Sequence, residues 1–180
     1  MSKIIKNQSK AEIILGIDPG TGIMGWGIIS KAANKITPLK YGCIRTPANQ
    51  ELPTRLLHIY NSLCDIIKDN KPDCLSIEDL FFFKNQKTII SVAEARGVAI
   101  ICAMKNGLPV FEYTPLQIKQ ALTGYGRADK KQMQEMVRIT CGLKECPHPD
   151  DAADALAAAI CHAQTSKQFK IYKFTNLKSF

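Results

Sequence analysis

The stretch IILGIDPGTG, residues 13–22, decides the fold of this chain. Its first five residues form an apolar run of the length typical of a strand buried on both faces of a sheet. The run ends at Asp18, and the Pro-Gly pair and second glycine that follow predict a turn. A carboxylate at the end of a buried strand is costly to desolvate unless a cation or hydrogen-bond donors hold it. The stretch therefore predicts a strand carrying an acid suited to a metal ion or a phosphate.

Length and charge narrow the class of protein. The 180 residues predict one domain spanning 1–180, with a core from about residue 12 to 164, a short basic leader and a basic, aromatic tail. The chain has 24 Lys and Arg against 16 Asp and Glu, a net charge of +8 that favours nucleic acid or an anionic membrane as partner. The apolar runs are too short to span a bilayer. We therefore expect a nucleic-acid partner and no membrane.

Cysteine usage predicts the compartment. Seven cysteines are dispersed along the chain without a CxxC motif, which is typical of reduced thiols in a cytoplasmic protein. Cys141, Cys146 and His148 resemble part of a zinc site, but the second half of a ligand set is missing. A cytoplasmic protein without structural zinc is the expectation.

The order of predicted elements gives the fold class. A meander of three strands is followed by α, β, α, β and a set of terminal helices. The strand at 74–77 ends at Glu78, as the first strand ends at Asp18. Two crossovers would place parallel strands beside the first one. We predict an α/β protein with a mixed five-stranded sheet and helices on both faces, which resembles the ribonuclease H-like fold. The tail from residue 167 could add a strand, touch DNA or be disordered.

The last predicted helix carries three acids, of which Asp150 is expected to be the N-cap. Asp151 and Asp154 are three residues apart and share one face, and small residues let this helix approach the sheet closely. Interaction with the helix dipole could explain the first two acids, but explains Asp154 less well. With Asp18 and Glu78 they form an all-oxygen site suited to about two Mg²⁺ ions, or Mn²⁺, and to phosphodiester hydrolysis.

Four segments carry a family resemblance: GIDPGTGIMGWGII (16–29), IEDLFFFKNQKTIISVAEARG (77–97), IKQALTGYGRADKKQMQEMV (118–137) and DDAADALAAAICH (150–162). They resemble, in order, the RuvC family of bacterial Holliday junction resolvases. The resemblance implies a homodimeric endonuclease that makes paired symmetric nicks in four-way DNA junctions during recombination and repair. It implies Mg²⁺ as cofactor, and as possible partner a branch-migration complex of the RuvA/RuvB type. It places the catalytic acids on Asp18, Glu78, Asp151 and Asp154.

Basic and aromatic residues around these acids are candidate DNA contacts. The resemblance implies that Lys119 and Lys130 contact the junction backbone and that Phe81 stacks on an unpaired base. Arg127 lies in a flexible basic loop suited to phosphate contacts. The alternative for part of the Phe81–Phe83 triplet is packing in the core. Arg96 is expected to pack the long helix against the sheet or at a dimer interface.

Three other functions remain open from the residues alone. The acid-Pro-Gly-Thr turn is also typical of actin-like ATPases, which bind nucleotide phosphate. A second alternative is a junction-binding protein without chemistry, and a third is another ribonuclease H-like nuclease acting on RNA or RNA–DNA hybrids. The full set of four acids favours a nuclease, and the basic segment from Lys119 to Lys131 favours the junction.

Overall fold

The computed structural model describes residues 10–80, 86–165 and 171–172. The strands and helices are, in chain order, β1 (Glu12–Asp18), β2 (Ile23–Ala32), β3 (Lys35–Arg45), α1 (Leu52–Asn70), β4 (Cys74–Glu78), α2 (Gln86–Lys105), β5 (Val110–Tyr113), α3 (Pro115–Thr123), α4 (Lys130–Cys141), α5 (Asp150–Gln164) and β6 (Ile171–Tyr172). Within these described ranges, no helix is both long enough and apolar enough to cross a membrane.

The strands form one mixed sheet in the order β3-β2-β1-β4-β5-β6. The first three strands are antiparallel, β1, β4 and β5 are parallel, and β6 is antiparallel to β5. The predicted mixed five-stranded sheet is thus confirmed. Two residues of the tail add a short sixth strand, which was one of the alternatives left open by the sequence.

The central strands bury both of their faces, as the apolar run in β1 predicts. Leu15 and Ile17 pack in a core with α1 and α2, whereas Ile14 packs in a second core with α3, α4 and α5. Successive side chains of a strand point to opposite faces. Asp18 is therefore in phase with Ile14 and Gly16, and it points to the face that α5 covers.

Helix α5 lies directly on the backbone of β1 and β2. A Cβ atom on Gly16 would lie 2.0 Å from the carbonyl oxygen of Ala155, and one on Gly25 would lie 1.9 Å from that of Asp151. Since real Cβ contacts are far longer, only glycine allows this approach. On the neighbouring strand, the hydroxyl of Ser76 donates to the carbonyl of Ala158 over 2.7 Å. The predicted close packing of this helix is present.

The N-terminus of α5 differs from the prediction. The expected cap, Asp150, is the first helical residue, and Pro149 is the N-cap, without a side-chain cap hydrogen bond. The carbonyl of Pro149 accepts from the amide of Ala152 over 2.9 Å, so the helical turn begins one residue earlier than predicted. The Asp150 carboxylate instead forms an ion pair with Lys130 over 2.9 Å. The predicted capping role of Asp150 was therefore wrong.

Close packing at Gly16 predicts a large effect of one methyl group. We expect Gly16→Ala to lower the free energy of unfolding, because the added Cβ meets backbone atoms of α5 that cannot move independently. Gly97→Ala is the matched control, since a Cβ there has nothing within 4 Å and alanine should stabilise α2 by about 0.5–1 kcal/mol. Urea denaturation measures both. Equal stability of the two variants would contradict the close approach of α5.

Candidate active site

Asp18 and Glu78 lie side by side at one edge of the sheet. They are the last residues of the parallel neighbours β1 and β4, directly after the register pair Ile17 and Ile77. Glu78 is in phase with Ser76, whose hydroxyl contacts α5, so its side chain points to the same face as that of Asp18. The sheet therefore directs two carboxylates towards the N-terminal end of α5.

Asp151 and Asp154 complete the cluster from above the sheet. The backbone of Asp151 lies against Gly25, which is the register partner of Asp18 on β2. One turn further, Asp154 lines a cavity of about 220 Å³ together with Glu78, and α3 and α4 close the other side. The structure thus brings the four predicted acids to one edge of the sheet.

Electrostatic repulsion accompanies this convergence. The pKa of Asp18 is raised from 3.8 to about 8, with burial as the largest cause and the charges of the other three acids adding to it against the opposing charge of Lys130. Burial, and next the charge of Asp154, raise the pKa of Glu78 from 4.5 to about 7. An all-oxygen donor set with this excess of negative charge fits hard divalent cations.

Two of the predicted DNA contacts border the acids. Lys119 and Lys130 both line the cavity, and the Lys130 ammonium lies 2.9 Å from Asp150 and 4.0 Å from Asp154. Hydrogen bonding to Asp150 is the largest cause that raises the pKa of Lys130. The acidic edge therefore carries fixed positive charge on its α3–α4 side.

The other two predicted DNA contacts are Arg127 and Phe81. Arg127 is exposed in the turn between α3 and α4, and the described residues that line the cavity do not include it. Phe81, with Phe82 and Phe83, lies outside the described residues. Its stacking role stays a prediction.

Arg96 supports the acidic edge from the opposite face. Its Nε donates to the backbone carbonyl of Glu78 over 3.2 Å, and its Nη2 lies 3.3 Å from Asp79 and forms an ion pair with Glu112. Both the guanidinium and the Glu112 carboxylate are largely buried. Sequence reasoning gave Arg96 only a packing role. A lone acid in the apolar strand VFEY was the signal that a buried cation faces it.

This sheet order, with acids at the ends of two central strands and on the covering helix, defines the ribonuclease H-like class of α/β folds. The family described as "Crossover junction endodeoxyribonuclease RuvC" matches residues 14–162. The chain belongs to the RuvC family.

Individual relatives agree with this assignment. The RuvC of Desulfitobacterium hafniense is 56% identical over 85% of this chain and 93% of its own, and that of Desulforamulus reducens is 53% identical over 87% and 96%. The solved structure "T. thermophilus RuvC in complex with Holliday junction substrate" matches with a TM-score of 0.81 and 34% identity, over 85% of this chain and 93% of that chain. These matches confirm the predicted family, fold and junction-endonuclease function. They favour this function over an actin-like ATPase and over a nuclease that acts on RNA or RNA–DNA hybrids.

The raised pKa of Asp18 predicts a pH-dependent stability for the metal-free protein. The folded state keeps a proton that the unfolded chain releases near pH 3.8, so stability falls as pH rises from about 4 to about 8. When a chelator removes metal ions, the stability of Asp18→Asn relative to the wild type should therefore increase with pH across this range. Urea denaturation at several pH values measures this difference. Asp150→Asn is the control. Lys130 lowers the pKa of Asp150, so the difference in stability between this variant and the wild type should stay constant above pH 5. A difference between Asp18→Asn and the wild type that does not change with pH would contradict the raised pKa of Asp18.

The buried ion pair predicts strong coupling between Arg96 and Glu112. Arg96→Met should reduce the free energy of unfolding by about 3–5 kcal/mol, because it removes the cation that faces a buried carboxylate. Adding Glu112→Gln should recover part of that loss, and a double-mutant cycle in urea measures the coupling. Arg138→Met removes an exposed pair with Glu135 and one hydrogen bond to the Leu143 carbonyl, and it should change stability far less than Arg96→Met does. Additive effects of the first two substitutions would refute the coupling.

Proposed function

We propose that this chain is a divalent-metal-dependent endonuclease that makes paired symmetric nicks in four-way DNA junctions, with Asp18, Glu78, Asp151 and Asp154 as catalytic metal ligands. One observation carries the proposal: three separate elements, β1, β4 and α5, direct four carboxylates to one edge of the sheet beside two lysines. The RuvC relative solved with a Holliday junction substrate supports the choice of DNA.

The donor set indicates which ions these acids would hold. Carboxylate oxygens select Mg²⁺, with Mn²⁺ as a substitute, and four acids can balance about two such ions. When bound, these ions lower the pKa of water and neutralise charge that develops on phosphate oxygens. The protein itself fixes the acids on rigid strand ends and on a helix that the glycines hold against the sheet.

The surrounding residues have separate roles in this proposal. Lys119 and Lys130 attract the phosphate backbone towards the acids, and Asp150 restrains Lys130 at the entrance. Arg96 donates a hydrogen bond to the backbone carbonyl of Glu78, so it acts as a positioning residue for the carboxylate of the Glu78 side chain. The reaction thus depends on acids that bind metal and on bases that bind DNA, with little overlap between the two sets.

The symmetry of the substrate extends the proposal to assembly. A four-way junction has near two-fold symmetry, so paired nicks require two sites related by a dyad, as in a homodimer. The family resemblance suggests cooperation with a RuvA/RuvB-type branch-migration complex. Since the proposed substrate is DNA, we infer that the protein acts in the cytoplasm of a bacterial cell. Sedimentation of the purified protein, alone and with junction DNA, tests the dimer.

Amide substitutions test the central assignment. Asp18→Asn and Glu78→Gln keep the size of each side chain and remove one negative ligand, so Mg²⁺-dependent nicking of a synthetic junction should fall by orders of magnitude. Binding measured by gel shift in Ca²⁺ should persist, because it depends on lysine contacts to phosphate.

Lys119→Ala is the control with the opposite expectation. This variant keeps all four acids, and it should weaken junction binding and flatten the salt dependence of that binding. Linear duplex of matched sequence controls for junction selectivity. Near-normal nicking by either amide variant would end the proposed role of the acids.

A further inference from the structure

Three side chains of types that bind metals converge at the end of β1 opposite to Asp18. Glu12 is the first residue of β1, Cys74 the first of β4, and His162 lies in the last turn of α5. A carboxylate oxygen, the thiol sulfur and an imidazole nitrogen of these residues all lie within 4.8 Å of one another. Glu12 and Asp18 are six positions apart along β1, which corresponds to about 20 Å. The cluster is therefore separate from the proposed active site.

The sheet and α5 place these three residues together for the same reason that they place the acids together. Glu12 is in phase with Ile14 and Gly16 along β1, so it faces α5. Cys74 is the register partner of Ile14 on β4, and it packs in the same core. The C-terminal end of α5 then brings His162 over both strands. Three elements remote in sequence contribute one ligand each.

The donor chemistry and spacing fit zinc. Carboxylate, thiolate and imidazole are the three ligand types that zinc takes in proteins. The 3.8 Å between His162 Nε2 and Glu12 Oε1 is too long for a hydrogen bond. In a tetrahedral site, nitrogen and carboxylate oxygen ligands at about 2.0–2.2 Å from zinc lie about 3.3–3.6 Å apart, so a small rotation of the partly exposed Glu12 side chain would bring these two atoms to that spacing. One thiolate and one carboxylate would also neutralise the ion.

The imidazole is oriented for this role. Tyr113 Oη lies 2.7 Å from His162 Nδ1, and the Phe111 ring packs with its centroid 4.1 Å from that of the imidazole. Metal-binding histidines commonly use the second ring nitrogen in such a hydrogen bond, which fixes the tautomer and directs the other nitrogen to the ion. Here that other nitrogen is Nε2, which faces Glu12.

We propose that Glu12, Cys74 and His162 bind one zinc ion, with water as the fourth ligand. Cys74 and His162 are buried, whereas the Glu12 side chain is 37% exposed and provides the route for ion and water. Binding releases the thiol proton to solvent. The ion would join β1, β4 and α5 at the end of the sheet remote from the acids, so its role is structural. This proposal does not depend on the proposed nuclease function.

Cobalt(II) titration of the reduced, metal-stripped, full-length protein tests the site. Cobalt occupies zinc sites and gives a thiolate-to-cobalt charge-transfer band, which the all-oxygen acid cluster cannot produce. We expect one equivalent of cobalt to develop this band and zinc to displace it. Cys74→Ser should abolish the band, and Tyr113→Phe should weaken cobalt affinity by about 10–100-fold.

Other variants locate the ion. Because the Glu12 side chain is partly exposed, the Glu12→Gln variant should fold even if substitutions of the buried residues prevent folding. It should weaken cobalt affinity more than Tyr113→Phe does. Cys146→Ser tests the incomplete Cys141, Cys146 and His148 set, and Cys43→Ser tests a thiol near Asp151; neither should change the band. Absence of the band, a band that survives Cys74→Ser, or a band lost in either control would overturn the proposal.

Discussion

The backbone contact between α5 and the glycines of β1 and β2 is the constraint on which the rest of the structure depends. Gly16 and Gly25 leave no room for a Cβ atom, so the helix axis lies as close to the sheet as backbone atoms allow. This approach places the first turn of α5 beside the ends of β1 and β4. Without it, carboxylates on the helix would stand away from Asp18, and the acidic edge would not form.

The two faces of the sheet support this edge in different ways. On the α5 face, burial and then the negative charge of the neighbouring acids raise the pKa of Asp18 and of Glu78, so the site favours cations. On the opposite face, Arg96 holds the backbone of Glu78 and forms a buried ion pair with Glu112. The positive charge behind the sheet thus fixes the strand end without occupying the cleft in which DNA and metal are proposed to bind.

The same helix links both ends of the molecule. Its N-terminal turns carry Asp151 and Asp154, and its last turn carries His162 beside Glu12 and Cys74. Because α5 is one continuous helix packed closely on the sheet, we expect a restraint at the histidine end to limit movement at the acid end. A structural ion there would strengthen the packing that positions the acids while remaining outside the chemistry.

Local sequence patterns determined much of this protein. The apolar run that ends at Asp18, the second one that ends at Glu78 and the Ala-rich helix with two acids were sufficient to predict the sheet, its mixed pairing and the four carboxylates. These features are local: strand periodicity, turn residues and helical spacing act over a few residues. The acids' assignment as ligands stays a prediction.

Contacts between segments that are distant in the sequence could not be predicted from local patterns. Asp150 resembles a helix cap in sequence, but an ion pair with Lys130, 20 positions earlier, holds its carboxylate. The lone acid in the strand VFEY indicates that a cation faces Glu112, but no local pattern identifies that cation as Arg96. The meeting of Glu12, Cys74 and His162 has no local signature either. Their energies come from burial and charge in three dimensions, and a linear pattern of residues does not contain those distances.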